Sequence, residues 1–152
     1  MNYLFNNKWK GISGWIFYLT IPVGMYFFFR EKFDEIFTIK VFSIFSNDSL
    51  FGNSGGMEWI ENGFLDEIFT FLIIVSGIIN SFTKEKIEDE LISKIRMESL
   101  VLSLYVNYGL LLVSNFLVFG LSYFNILVFH LFTILILFNL IFRYKLNIHY
   151  KS

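Results

Sequence analysis

Four stretches of the chain are apolar all round, and one strongly charged run separates the second from the third. Gly11–Phe29 (GISGWIFYLTIPVGMYFFF) has no charged residue in 19 positions. At about 1.5 Å per residue it reaches about 28 Å, close to the roughly 30 Å of a bilayer's hydrocarbon layer. Phe64–Phe82 carries its only charges, Asp66 and Glu67, at its start. Ser99–Phe119 is uncharged over 21 positions and Leu121–Phe142 over 22. A spanning helix needs roughly 17–25 mostly apolar residues, and outside the cores of large proteins the helices of soluble domains still show a polar face. The pattern predicts an all-α integral membrane protein. It forms a single domain over 1–152, with four transmembrane helices at about 11–29, 64–82, 99–119 and 121–142. Gly120 permits a tight reversal, so the last two spans should form a hairpin. Pro22 should kink the first.

Composition agrees. Twenty-one Phe, eight Tyr and only 16% charged residues leave too little to build a water-facing surface, for which soluble domains use about 25%. The absence of Cys excludes disulfides, thiolate metal sites and cysteine nucleophiles. The chain also has no Ala, so close helix contacts must use Gly and Ser. Lys8 and Lys10 precede the first span as in a signal peptide. No small-residue cleavage site follows, and Arg30, Glu31 and Lys32 come directly after; an uncleaved span is the expectation.

Charge sets the orientation. The N-terminal segment, the central charged run and the C-terminal tail hold nine Lys and Arg against five acids, a net of +4. The outer loop, 30–63, and the starts of its flanking spans hold three against eight, a net of −5. Positive loops stay inside, so both ends and the central run are expected in the cytoplasm.

That run, Thr83–Ser99 (TKEKIEDELISKIRMES), is charged at nine of seventeen positions. It lacks Gly and Pro and favours helix, with Glu90 and Lys94 in the favourable i, i+4 order. The third helix is therefore expected to start near Ile87 and extend into the cytoplasm, with 84–98 a charged cytoplasmic helix. Ile87, Leu91 and Ile95 are four apart and should form an apolar stripe. The stripe either packs within the monomer or docks a partner; Glu88 should lie on the solvated face.

The block FTKEKIEDELISKIRMESLVLSLYVNYGLLL resembles an uncharacterised group of small bacterial four-span membrane proteins, often encoded beside a small helix-turn-helix regulator. The matching positions are Lys84, Glu85, Glu88, Asp89, Glu90, Ile92, Arg96, Glu98, Ser99 and Leu100, then Val106, Asn107 and Tyr108. The resemblance covers mainly 59–150. It implies the bacterial inner membrane and a link to a cytoplasmic regulator, and implies nothing about catalysis.

Polar residues inside spans are the default functional candidates. Ser103, Asn107 and Ser114 share one face of the third span; His130 and Asn139 lie on opposite sides of the fourth. Antiparallel packing should place Asn139 level with Ser103 and Asn80, and His130 level with Ser114 and Asn115. These groups either bond helices together or line a polar path. In the outer loop, the stretch 34–45 (DEIFTIKVFSIF) partly alternates, with Phe37, Ile39, Val41 and Phe45 on one side of an extended segment. Asn47–Gly56 is a turn-rich break, Trp59 is an interfacial anchor, and Glu58, Glu61, Asp66 and Glu67 form an acidic rim. The basic tail RYKLNIHYKS reads as an anionic-lipid anchor, too short to bind nucleic acid directly. His130 and His149 fall on opposite sides of the membrane and cannot share a metal. No HExxH, CxxC, G-x-S-x-G or phosphate-loop motif occurs; no enzyme class, metal or cofactor is supported.

The leading expectation is a non-enzymatic inner-membrane protein whose cytoplasmic helix docks a partner, such as a transcriptional regulator. The alternatives are a small oligomeric channel, carrier or membrane-perturbing effector, and an assembly subunit of a larger membrane complex. The expected partners are the lipid bilayer, a cytoplasmic protein and further copies of the chain.

Overall fold

The computed structural model describes residues 3–30, 38–43 and 57–151. These residues form α1 (Lys8–Arg30), β1 (Thr38–Ser43), β2 (Glu58–Gly63), α2 (Leu65–Ser81), α3 (Glu90–Leu117) and α4 (Leu121–Lys151). The protein is mostly helical, and two helices, Glu90–Leu117 and Ser122–Lys151, are long and apolar enough to cross a membrane. The chain divides into two compact units, Met1–Tyr18 with Leu72–Ser152, and Leu19–Phe71.

The first unit holds the α3–α4 hairpin. Ser114 O accepts from Val118 N at 2.9 Å, ending α3, and Gly120 then adopts φ +71°. That left-handed conformation suits a residue without Cβ, and α4 begins at the next position. Ile92, Phe138, Phe142 and Leu146 form the buried apolar cluster, bordered by Ile95 and Leu100. The Phe138 ring stacks between Phe82, 5.6 Å away, and Phe142, at 5.9 Å. Gly77 of α2 lies where a Cβ would come within 2.7 Å of the Phe17 ring; only a glycine lets these two helices approach so closely.

Two helix boundaries differ from the expectation. Helix α3 starts at Glu90, not near Ile87, because Asp89 has extended backbone geometry and its side chain caps Ile92 N at 2.7 Å. An aspartate N-cap satisfies an otherwise orphaned N–H, and the segment 84–89 before it is not helical. Helix α3 is therefore 28 residues, about 42 Å, rather than about 50 Å. At the other end of the chain α4 runs past Phe142, through the basic tail, to Lys151.

The second unit adds what an all-α reading lacked. Strands β1 and β2 pair antiparallel, Thr38 opposite Gly63 and Ser43 opposite Glu58. Ile39 and Val41 occupy the more buried face of β1 and Lys40 and Phe42 the exposed one, as the alternation implied. Phe37, Phe45 and the turn-rich break lie outside the described residues. Trp59 belongs to β2 and meets Phe42 edge-to-face across the ladder at 5.5 Å. Cross-strand aromatic pairs of this kind stabilise two-stranded ribbons. The hairpin was hidden because its second strand, EWIENG, carries two acids and a Gly and does not alternate cleanly.

Candidate functional site

The buried face of α3 carries Ile92, Arg96, Ser99, Ser103 and Asn107, at spacings of four, three, four and four. One line on the helix thus runs from an arginine in the charged run to an asparagine well inside the apolar stretch. It faces inward because Arg96, 1% exposed, has its countercharge inside. Nη1 donates to Glu88 Oε1 at 2.6 Å and Nη2 to Glu88 Oε2 at 3.1 Å. Nη2 also donates to Thr83 O at 3.2 Å, and the guanidinium lies 5.1 Å from the centre of the Phe142 ring. A bidentate fork of this kind is among the stronger and more directional polar contacts. Burial pushes the Glu88 carboxyl upward, but the hydrogen bonds from Arg96 and from Glu85 N outweigh it and hold it below the ordinary 4.5.

Glu88 is therefore no solvated charge, contrary to the sequence reading. It ties the non-helical segment 83–89 to α3. Further ties hold the same segment. Phe5 N donates to Phe82 O at 2.8 Å, Lys84 N to Phe5 O at 3.0 Å and Asn7 Nδ2 to Lys84 O at 2.7 Å. Glu85 is buried and ion-paired with Lys10. Further along α3, Glu98 meets Lys145 of α4 at 3.1 Å.

One layer deeper lies an amide network. Asn80 Nδ2 donates to Asn139 Oδ1 at 2.6 Å, and Asn139 Nδ2 donates to Ser81 Oγ at 2.8 Å and Leu135 O at 2.9 Å. The expectation that Asn80 and Asn139 share a level is met. Ser103 is buried and donates to Ser99 O at 2.6 Å. Ser114 is half-buried and bonds its own helix at Leu110 O, 2.8 Å away, so it sits outside the buried line. Asn107 Oδ1 and His130 Nε2 are buried with no hydrogen-bond partner among the described residues.

The expected apolar stripe does not form as drawn. Ile87 precedes the helix and is 67% exposed; Leu91 is 45% exposed; Ile95 borders the buried cluster. The inward face is one residue round, through Ile92 and Arg96. The missed members of the site are Arg96, Glu88, Thr83, Ser99 and Lys10. A signal for Arg96 was present, because it continues the Ser99–Ser103–Asn107 spacing back into the charged run. Among the described residues no cluster of three His, Asp or Glu could hold a metal.

Comparison with known proteins yields no matching family model, no matching curated protein and no matching solved structure.

Proposed function

We propose that the chain is a non-enzymatic, four-span protein of the bacterial inner membrane, with both ends in the cytoplasm. Its segment 84–98 presents a rigid docking surface to a cytoplasmic protein. Large apolar side chains lie exposed on all four helices, among them Trp15 and Leu19 on α1, Phe71 and Ile78 on α2, Leu112 and Phe116 on α3, and Phe124 and Leu131 on α4. The interior is rich in Ser and Asn. An apolar outside around a small-polar inside suits lipid as solvent. Helices α1 and α2, of 23 and 17 residues, are about 35 and 26 Å long, within reach of a bilayer's thickness.

The observation that carries the docking reading is the exposure of Ile87 and Leu91 on a segment clamped by the Lys10–Glu85, Arg96–Glu88 and Lys145–Glu98 pairs. Apolar side chains held rigidly outside the spans lose little entropy on binding. The resemblance of the 84–108 block to four-span proteins encoded beside helix-turn-helix regulators supports such a regulator as the partner. In mild detergent the wild-type chain should retain that regulator. Ile87→Glu and Leu91→Glu should insert normally and lose it. Retention by both variants contradicts the reading.

The unpartnered Asn107 and His130 atoms support a second reading, a small channel or carrier. Its mark would be ion flux in liposomes that vanishes in Asn107→Leu or His130→Phe.

A further inference from the structure

Beside the docking segment, α3 and α4 frame an open groove of about 340 Å³ lined by Met97, Glu98, Val101, Leu102, Tyr105 and Lys145. Its floor is apolar. Met97, Val101, Leu102 and Tyr105 are all exposed, so no described part of the chain covers them. The groove follows α3 for about 10 Å from Glu98 to Tyr105. At its inner end Lys145 Nζ meets Glu98 Oε2 at 3.1 Å, with both side chains still partly open to solvent.

From this arrangement we propose that the groove is a binding site for one phospholipid with a zwitterionic amine headgroup, phosphatidylethanolamine. The inference rests on the membrane reading above. The charged pair sits where the apolar span meets the charged run, which is headgroup level. One of the lipid's acyl chains lies along Val101, Leu102 and Tyr105. The paired charges decide between lipids. Lys145 uses one N–H on Glu98 and keeps two for a phosphate. Glu98 keeps Oε1 to accept from an ammonium. A head that carries both charges satisfies both side chains without separating them. A purely anionic head brings its phosphate to Lys145 but leaves Glu98 facing like charge.

The full chain is reconstituted in vesicles of equal phosphatidylethanolamine and phosphatidylglycerol, extracted in mild detergent, and its retained lipid identified by mass spectrometry. The amine lipid should be enriched about tenfold over the glycerol lipid, the ratio that about 1.4 kcal/mol of differential binding gives. Lys145→Ala removes the phosphate donor and should lower the total lipid retained, while Glu98 still disfavours phosphatidylglycerol. Glu98→Ala should shift it toward phosphatidylglycerol, since a lone lysine prefers an anion. Val101→Trp fills the groove without touching either charge and should abolish retention. Retained lipid that mirrors the vesicle, wild-type selection of phosphatidylglycerol, or undiminished retention in Val101→Trp each overturns the proposal. A chain that never enters the vesicles counts instead against the membrane reading.

Discussion

Arg96 is the most demanding residue in the chain, because a guanidinium that is almost fully buried is tolerable only while its countercharge is present. Glu88→Gln removes that charge and keeps the shape. It should destabilise the folded protein by about 3 kcal/mol, read as a large fall in thermal midpoint in detergent. Arg96→Met combined with Glu88→Leu removes both charges and should recover most of the loss, since a buried pair replaced by apolar groups is often neutral. The pair also gives stability a pH dependence. The folded Glu88 carboxyl titrates below the ordinary 4.5, so the unfolded chain takes up its proton first. The contribution is whole above about 4.5 and is lost as pH falls through the folded value. Wild type should lose thermal stability on that acid side, and the double variant should lose less. Leucine stripes are easier to read from sequence than buried ions. Nothing in the one-letter pattern separates Arg96 from exposed Lys94 except its alignment with Ser99, Ser103 and Asn107.

Among the elements, helices and their reversal were legible and strand pairing was not. The uncharged runs placed all four helices, and Gly120 placed the α3–α4 turn, because those features depend on local sequence. The start of α3 depends on one aspartate cap, Asp89, set between two glutamates in a run whose composition favours helix throughout. The β1–β2 hairpin depends on pairing residues 15 or more positions apart, which local alternation does not reveal. Two glycines test the helix packing. A Cβ at Gly77 would press on the buried Phe17 ring and Leu135, while one at Gly109 meets nothing within 4 Å. Gly77→Ala should cost about 1–3 kcal/mol by overpacking. Gly109→Ala should be neutral or stabilise by up to about 1 kcal/mol. Paired thermal melts of the two variants check this, and equal effects would mean that α2 does not approach Phe17 closely.

For the molecule as a whole, the proposed function makes the charged run a clamped cytoplasmic platform between a second and a third span. Lys10, Arg96 and Lys145 neutralise three of its acids, and Ile87 and Leu91 are left facing outward. That arrangement has meaning only if the run and both ends share one side of a membrane and the β1–β2 hairpin lies on the other. The chain's lack of cysteine makes the direct measurement clean. Single cysteines are introduced as Tyr3→Cys, Met57→Cys, Ile87→Cys and Tyr150→Cys, all at exposed positions. Each is then challenged with a membrane-impermeant maleimide in right-side-out and inverted vesicles. Positions 3, 87 and 150 should label only in inverted vesicles, and position 57 only in right-side-out ones. Labelling of 57 and 87 from the same side, or of all four from both sides, would contradict the four-span account.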